Sequence, residues 1–370
     1  MVKNTCLKLK KCIQFTIIHP KHEQCAQNVR VLYNRPMTNY VTHTIEPWMP
    51  LGALKAKQDI IDIALTQHWQ VLPLARYNDS RDTISQRQNN INLWCDALQE
   101  NDTVVHQFPT YMSAAFEQQF IATLNQRRVH SVILIHDIEP LRLTKQQPWE
   151  FDLLNAYDLV VVHSQAMADI LAHNGVVSDT IIHAFFDYLA PTPSIATHSH
   201  QINFAGTFQK SPWLQTYNGQ LPITLFGAKP RKWQHIDWPE HVHFQGNLDP
   251  IAIVAAFQSG FGLLWDSDFE GKTYQTYTRY NAPHKASLYL RAGLLLIAWS
   301  QSAIGQIIQK HHLGITIDNL SQLDQVATIS KDDYYDFQKH MNPFQLRLQN
   351  GDYTKNTLQK INATFSIDEL

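Results

Sequence analysis

Short, nearly continuous apolar segments alternate with amphipathic segments along most of this chain. The runs Val132–Ile135 (VILI) and Leu294–Ala298 (LLLIA) are examples of the first kind. A strand that is apolar on both faces needs cover from both sides, which parallel sheets obtain from helices. The alternation of such strands with helices therefore predicts an α/β fold built from doubly wound parallel sheets.

A polar segment that contains two prolines divides the chain. The sequence APTPSIATHSH ends at residue 200 and has little apolar content, so we interpret residues 191–200 as a linker. It separates two Rossmann-like domains, residues 1–190 and 201–350. Residues 351–370 are predicted to form a C-terminal helix that is free to cross back to the first domain. Two such domains leave a cleft between the carboxyl ends of their strands, where ligands of this architecture bind.

The balance of charges excludes several classes of protein. The chain has 30 basic and 32 acidic residues and a net charge of −2, whereas proteins that coat nucleic acid are normally strongly basic. We therefore expect no nucleic-acid partner. No run of apolar residues approaches the roughly 18 that a membrane-spanning helix needs, so no span is predicted.

Cysteine usage indicates the compartment. The four cysteines form no CxxC pair, which favours a reducing environment, and we predict a cytoplasmic location. The basic start of the chain, MVKNTCLKLKKC, is compatible with peripheral contact to the inner face of a membrane, although such a segment is more typical of a solvated tail. The sequence leaves the oligomeric state open, a homo-oligomer included.

The first candidate for chemistry follows the predicted strand SVILI. Asp137 and Glu139 lie there beside His136 and Arg142, at a strand end that should face the cleft. A carboxylate in this place could take a proton from an attacking hydroxyl group. The alternative is a polar loop that caps the next helix.

The second candidate is the start of a helix in the second domain. Asn281 and Pro283 precede Lys285, and proline is common at the first helical position. The first turn of a helix exposes backbone N–H groups and a positive dipole end, which attract anions. Because a lysine in the first turn is unfavourable for the helix itself, we interpret Lys285 as an anion ligand that suits a diphosphate. The alternative is an exposed lysine on a solvated helix.

Two further strand ends carry candidate ligands. Gly206 and Thr207 end a strand and are followed by Lys210, as at the first corner of a nucleotide-binding domain. Asp266 and Asp268 form a DxD pattern, which can hold a divalent metal ion; a contact between Asp266 and sugar hydroxyls is an equal alternative. Neither GxGxxG nor GxxxxGK[ST] occurs in the sequence, which argues against a dinucleotide enzyme and a P-loop NTPase.

At this point the sequence resembles a bacterial glycosyltransferase family that contains β-1,6-galactofuranosyltransferases and the glucosyltransferase that extends GlcNAc-modified serine-rich adhesins. The shared motifs are DTVVHQFPTY at Asp102–Tyr111, IHDIEPLR at Ile135–Arg142, LVVVHSQAM at Leu159–Met167, INFAG at Ile202–Gly206, GFGLLW at Gly260–Trp265, YNAPHKASLYLRAG at Tyr280–Gly293 and MNPFQLRLQNGDYTKNTL at Met341–Leu358.

The resemblance implies a GT-B fold, a UDP-hexose donor and an inverting transfer with no metal ion or other cofactor. It implies that Lys285 contacts the donor diphosphate and that Lys210 lies beside the same nucleotide. The remaining residues expected at the UDP-sugar are Gly206, Thr207, Asn281, Tyr280 and Asp266. The first domain would then hold the acceptor, a glycan or glycolipid, and we predict Asp137 as the base, with Glu139 as the alternative.

The predicted activity is transfer of a hexose to a glycan hydroxyl in the synthesis of cell-surface polysaccharide or exopolysaccharide. Many retaining GT-B enzymes use two glutamates eight positions apart, and Glu270 is the only glutamate between His241 and Asp368, which favours inversion. The sequences of the DIEPLR and NAPHKASLYLRAGL motifs favour galactofuranose as the hexose. The alternatives are a glucosyltransferase that extends a GlcNAc-modified glycoprotein, a UDP-sugar epimerase and a non-catalytic transferase subunit.

Overall fold

The computed structural model describes residues 37–46, 51–142, 148–191 and 196–366. The basic N-terminal segment, for which membrane contact is compatible with the sequence, lies outside these residues. Within them, two six-stranded sheets and one two-stranded hairpin are present. No helix in these four ranges is long and apolar enough to cross a membrane.

The strands are β1 Asn39–Ile45, β2 Gln70–Ala75, β3 Thr103–Phe108, β4 His130–Ile135, β5 Leu159–Val162, β6 Asp179–Ile182, β7 Thr197–Ala205, β8 Ile223–Phe226, β9 Val242–Gly246, β10 Ser259–Leu264, β11 Asp268–Phe269, β12 Lys272–Thr273, β13 Leu295–Trp299 and β14 Gly314–Ile317. The α-helices are α1 Leu51–Thr66, α2 Ile84–Trp94, α3 Ala114–Gln126, α4 Glu139–Arg142, α5 Trp149–Leu154, α6 Gln165–His173, α7 Ala252–Ala256, α8 Tyr274–Tyr277, α9 His284–Ala292, α10 Ala303–His311, α11 Lys331–Asn350 and α12 Asp352–Ser366.

The N-terminal lobe is built on a sheet with strand order β2-β1-β3-β4-β5-β6, in which every neighbouring pair is parallel. The run VILI in β4 shows why both faces need cover. Ile133 and Ile135 pack into a core with α2, α3, α5 and α6, whereas Val132 and Leu134 pack into a second core with α1 and α12.

The C-terminal lobe is built on a sheet with strand order β14-β13-β10-β7-β8-β9, again wholly parallel. The prediction of two doubly wound parallel sheets is therefore confirmed. Strand β7 begins at Thr197, inside the segment that we interpret as a linker, because Thr197 pairs with Ser259 of β10. The order of strands reverses between β7 and β10, and ligands of such sheets bind at this kind of switch point.

The last two helices belong to different lobes. Helix α11 packs against α9 of the C-terminal lobe, while α12 packs against α1 and β6 of the N-terminal lobe. Leu358 and Ile361 of α12 are buried in the N-terminal core, and Asn39 donates a hydrogen bond to Asn362 over 3.1 Å. The last helix that the structure describes therefore packs on the N-terminal lobe.

Asp187 fixes the start of α12. Its carboxylate accepts hydrogen bonds from the backbone N–H groups of Thr354 at 2.7 Å and Tyr353 at 3.3 Å. The side chain is fully enclosed, and burial raises the pKa of Asp187 to about 7. The folded protein therefore binds a proton here at a pH at which the unfolded chain has released it.

We predict that Asp187→Asn removes the contribution of this carboxyl group to the pH dependence of the free energy of unfolding. Because the folded pKa is raised, this group favours folding below about pH 4 and loses that contribution as the pH rises through 7. The free energy of unfolding, measured with urea, should fall by on the order of 2 kcal/mol between pH 5 and 8 in the wild type relative to Asp187→Asn. Asp336→Asn, at an exposed site of α11, is the control. A constant difference between wild type and Asp187→Asn across this range would contradict the assignment.

Candidate functional site

Two carboxylates share one arginine at the end of β4. The Arg142 guanidinium lies 2.8 Å from Asp137 Oδ2 and 3.1 Å from Glu139 Oε1. Helix α4 brings Glu139 and Arg142 onto one side of a single turn, since residues three apart are neighbours on a helix. Burial would lower the pKa of Arg142, but the two carboxylates outweigh it and raise that pKa above its usual range. Arg142 is therefore a permanent cation beside both predicted bases.

On the opposite side, Lys285 lies in the first turn of α9. Its Nζ is 3.2 Å from Asp266 Oδ1 at the end of β10 and 4.9 Å from the ring centroid of Phe204 in β7. The ammonium group therefore lies over the carboxyl ends of the two strands that flank the switch point. About a quarter of the side chain is exposed, with a relative accessibility of 24%, so a ligand in the cleft can reach it.

The corner after β7 needs glycine for two reasons. Gly206 has a φ of +146°, and a Cβ on it would lie 3.4 Å from Lys285 Cδ. A Cβ on Gly227, at the end of β8, would lie 2.0 Å from the Gly206 carbonyl oxygen. Small residues at both strand ends therefore keep the floor of the cleft open beneath Lys285.

Lys210 lies between the two lobes. It follows Gly206 and Thr207, and its carbonyl group accepts a hydrogen bond from Ser267 N–H at 3.0 Å. Its Nζ lies 5.0 Å from the ring centroid of Tyr274. Burial lowers the pKa of Lys210, with Arg142 adding to the fall, whereas Asp137 opposes it. Lys210 is thus within electrostatic reach of the N-terminal carboxylates.

A hairpin and a short helix of the C-terminal lobe make the contact with α4. Arg142 Cζ lies 5.8 Å from the ring centroid of Tyr274, and Thr273 Oγ1 donates a hydrogen bond to the Leu141 carbonyl oxygen at 3.3 Å. The ring of Tyr274 therefore contacts one cation from each lobe, Arg142 of the N-terminal lobe and Lys210 of the C-terminal lobe. Arg142 and Lys210 thus meet at one ring, and Asp137 is paired with Arg142 at this contact.

The two carboxylates of the DxD pattern do not converge. Asp268 accepts hydrogen bonds from Gln275 N–H at 2.8 Å and Thr276 N–H at 3.1 Å, which fixes the start of α8. Asp266 pairs with Lys285 instead. Among the described residues, no group of three or more His, Cys, Asp or Glu side chains is arranged to hold a metal ion. A transfer that needs no metal ion stays a prediction.

A small cavity lies where the starts of two helices meet the end of β10. Helices α9 and α10 both begin at it, so their positive dipole ends point toward the same space. The residues that line it are Leu264, Trp265, Asp266, Thr278, Pro283, Lys285, Ser302 and Ile304. Its volume is only about 10 Å³, room for about one water molecule, so the two helix starts favour negative charge near Lys285 but the cavity does not enclose a phosphate group.

The other residues predicted for the UDP-sugar site differ in their exposure and contacts. Thr207 is exposed at the corner after β7, next to Lys210. Asn281 is half-buried before α9, and its Oδ1 receives no hydrogen bond. Tyr280 packs against the core of the N-terminal lobe, and its carbonyl group accepts a hydrogen bond from Ser164 at 2.7 Å. Tyr280 is thus placed in the contact between the lobes.

One buried imidazole connects the two halves of the site. His163 Nε2 lies 2.6 Å from the Ile135 carbonyl oxygen, and His163 Nδ1 accepts a hydrogen bond from Ala282 N–H at 3.1 Å. Ile135 comes just before the predicted bases and Ala282 just before α9. Arg142, Tyr274 and His163 are absent from the residues that sequence reasoning selected for the site. Arg142 and His163 lie in shared motifs, whereas Tyr274 carried no signal.

Comparisons with known proteins agree with this architecture. The model of the glucosyltransferase 3-like N-terminal domain matches residues 38–185, and the model of the C-terminal domain of the same family matches residues 202–361. The chain is 24% identical over 330 residues to glucosyltransferase 3 of Streptococcus parasanguinis, covering 87% of this chain and 97% of the relative. It is 22% identical over 324 residues to β-1,6-galactofuranosyltransferase WbbI of Escherichia coli K12, covering 84% and 94%.

Solved structures show the same fold. A structure from E. coli described as trehalose-6-phosphate bound with UDP-2-fluoro glucose superposes with a TM-score of 0.61 at 10% identity, covering 88% of this chain and 98% of the other. An α-glucosyltransferase solved with UDP and DNA gives a TM-score of 0.59 at 11% identity, with 88% and 99% covered.

Two facing lobes, each with a doubly wound parallel sheet, and a cleft that pairs cations with acids define a glycosyltransferase of the GT-B fold. The predictions of fold and enzyme class are therefore confirmed. The chain belongs to the glucosyltransferase 3-like family, as the matches to both of its domains show.

Proposed function

We propose that this glycosyltransferase moves a hexose from a UDP-sugar to a hydroxyl group of a glycan acceptor, with inversion at the anomeric carbon. The observation that carries the proposal is the charge arrangement of the cleft. Lys285 and Lys210 lie in the C-terminal lobe, and the charge of Asp137 in the N-terminal lobe acts on Lys210. Departure of UDP needs cations on one side of the sugar, and activation of the acceptor needs a base on the other.

The leaving diphosphate gains negative charge as the glycosidic bond breaks. The anomeric carbon then resembles an oxocarbenium ion, as in glycoside hydrolysis. Lys285, Lys210 and the start of α9 are placed to stabilise the developing charge on the diphosphate. A preorganised contact of this kind contributes about 2–4 kcal/mol to stabilisation of the transition state.

The acceptor hydroxyl must lose its proton to a group on the opposite side. The side chain of Asp137 is 29% exposed and that of Glu139 is 27% exposed, so both carboxylates are accessible from the cleft. Because a single Arg142 guanidinium serves both, neither carboxylate has a cation to itself. We assign the base to Asp137, whose charge acts on the pKa of Lys210, and keep Glu139 as the alternative.

Inversion is supported by the composition of the C-terminal lobe. Glu270 is the only glutamate between His241 and Asp368, so a pair of glutamates eight positions apart is impossible there. The DIEPLR and NAPHKASLYLRAGL motifs favour galactofuranose as the hexose. The relatives named glucosyltransferase 3 favour glucose, which is the second candidate.

The test is a donor panel. Purified enzyme is incubated with UDP-galactofuranose, UDP-glucose and UDP-galactose, with and without glycan acceptors, and UDP release and product mass are measured. We expect UDP release from one hexose donor, strengthened by an acceptor. Conversion of free UDP-sugar into its epimer without release of UDP would instead identify an epimerase. Absence of both UDP binding and UDP release would overturn the proposal.

We predict that Lys285→Ala weakens UDP binding at least about tenfold, because one charge-assisted contact contributes roughly 1.5–3 kcal/mol. Isothermal titration calorimetry with UDP is the measurement. Lys339→Ala removes an exposed lysine of α11, 75% accessible, and should leave the affinity unchanged. Equal UDP affinity in Lys285→Ala and the wild type would refute the diphosphate assignment.

We predict that Asp137→Asn lowers kcat by about 10²–10⁴-fold, the usual contribution of a general base, while UDP affinity is kept. Glu139→Gln should have a smaller effect, and Asp169→Asn, at an exposed position of α6, should have none. Initial rates at saturating donor, with folding checked by circular dichroism, give the comparison. Wild-type turnover in a folded Asp137→Asn enzyme would remove Asp137 from the role and direct attention to Glu139.

A further inference from the structure

A polar cavity opens in the N-terminal lobe at the carboxyl ends of β2 and β3. Its volume is about 610 Å³, which is enough for sugar units. The residues that line it are Arg76, Tyr77, Asn78, Asp79, Ser80, Tyr111, Met112 and Ser113. Strand β1 lies between β2 and β3, so the cavity lies over the end of β1, where the strand order of this sheet reverses. It is separate from the anion-binding side of the cleft, which belongs to the C-terminal lobe.

Contacts within the protein hold the rim of the cavity in place. Asp79 pairs with Arg87 over 2.8 Å, and it accepts a hydrogen bond from Ser113 N–H over 2.9 Å. Asp79 therefore ties the segment after β2 to the start of α3. A site whose walls are already fixed loses little conformational entropy when it binds.

Tyr111 stands at the edge of this cavity in an unusual conformation. Its φ is +59°, a region that bulky residues rarely adopt, and 43% of the residue is exposed. Arg76 holds it there, since Nε and Nη2 donate hydrogen bonds to the Tyr111 carbonyl oxygen at 3.2 and 3.0 Å. Backbone strain that surrounding contacts maintain is concentrated at functional sites.

Buried charges support Tyr111 from behind. Lys57 Nζ lies 5.3 Å from the centroid of its ring. Glu46 at the end of β1 is 3.6 Å from Arg76 and 3.8 Å from Lys57, and neither of its oxygens receives a hydrogen bond. Glu46 offsets one of these two cations, so one net positive charge remains beside the cavity.

Tyr111 and the predicted base follow neighbouring strands, since β3 pairs with β4 and His136 N–H donates a hydrogen bond to the Phe108 carbonyl oxygen at 2.8 Å. Partial burial raises the pKa of the Tyr111 hydroxyl to about 12, and the nearby Asp137 carboxylate adds to the rise. An exposed aromatic ring that lines the cavity therefore stands at the strand end next to that of Asp137. The faces of sugar rings carry C–H groups that pack on aromatic rings, while their hydroxyl groups need amide, hydroxyl and guanidinium partners such as those of Asn78, Ser80 and Arg76.

We propose that this cavity binds the acceptor glycan, with the acceptor sugar stacked on the ring of Tyr111 beside Asp137 and the next sugar unit in the space toward Asn78 and Ser80. The proposal rests on the proposed function, since it names the acceptor side of the same reaction. It makes Tyr111 a specificity-determining residue and predicts an acceptor of at least two sugar units.

The test uses Tyr111→Gly, which removes the ring and at the same time relieves the positive φ, so the fold is not put at risk. The probes are p-nitrophenyl β-glucoside, β-galactoside and β-N-acetylglucosaminide, with p-nitrophenyl lactoside and chitobioside as disaccharides. Transfer from the preferred UDP-hexose gives KM for each acceptor, and calorimetry gives the Kd for UDP. His312→Gly is the matched control, since His312 is exposed with a φ of +53° at the far end of α10.

We expect Tyr111→Gly to raise the acceptor KM about tenfold, a loss typical of one aromatic stacking contact, with the Kd for UDP unchanged. Tyr111→Phe keeps the ring and should stay within about twofold of the wild type. Ser80→Trp, which fills the cavity from its rim, should raise KM for the disaccharide glycosides and spare the monosaccharides. His312→Gly should leave every acceptor KM unchanged.

Two results would overturn the acceptor assignment while the proposed function stands. One is an unchanged acceptor KM in folded Tyr111→Gly. The other is a wild-type enzyme that binds UDP and hydrolyses UDP-hexose but accepts none of these glycosides. Failure of the proposed function is different, because it shows as loss of UDP binding and UDP release in the wild type itself.

Discussion

A neutral imidazole joins the two halves of the candidate active site. The Ile135 carbonyl group can only accept a hydrogen bond, so His163 Nε2 must carry a proton. The Ala282 N–H group can only donate, so His163 Nδ1 must be bare. Only the neutral ring with its proton on Nε2 satisfies both partners. Burial lowers the pKa of His163 and so favours this form. The segment that carries the bases and the helix that carries Lys285 are thereby held by one side chain.

The same neutrality extends to the histidines around it. His136, His183 and His284 join His163 around the ring of Phe186 beneath the cleft. Burial lowers the pKa of His183 to about 3 and that of His284 to about 4. Imidazoles that stay uncharged across the physiological range do not add to the positive field of the cleft. The positive charge that meets an anion therefore comes from lysine and arginine side chains and not from histidine.

The sequence predicts the sheets well because apolar runs leave little choice. A run such as VILI must be buried on both faces, and the carboxyl ends of parallel strands then lie at one edge of the sheet. This is why Asp137, Lys210 and Lys285 could be selected from strand ends and a helix start alone. The contact of Arg142 with Tyr274 could not, because α4 and α8 have four residues each and show no helical period. The hydrogen bond that Ala282 N–H donates to His163 joins residues 119 positions apart, and no local sequence pattern predicts it.

The cleft is electrostatically prepared for an anion. Arg142 and Lys285 both act to lower the pKa of Lys210, while Asp137 and Asp266 act to raise it. Three cations from two lobes thus repel one another across a partly buried space, although Arg142 is paired with Asp137 and Glu139, and Lys285 with Asp266. In such a low-dielectric environment the repulsion is larger than in water. An anion that enters among these cations relieves that repulsion as well as gaining its own contacts, whereas a neutral sugar does not. In the proposed reaction the cleft therefore selects the donor through its diphosphate, which anchors the hexose for transfer.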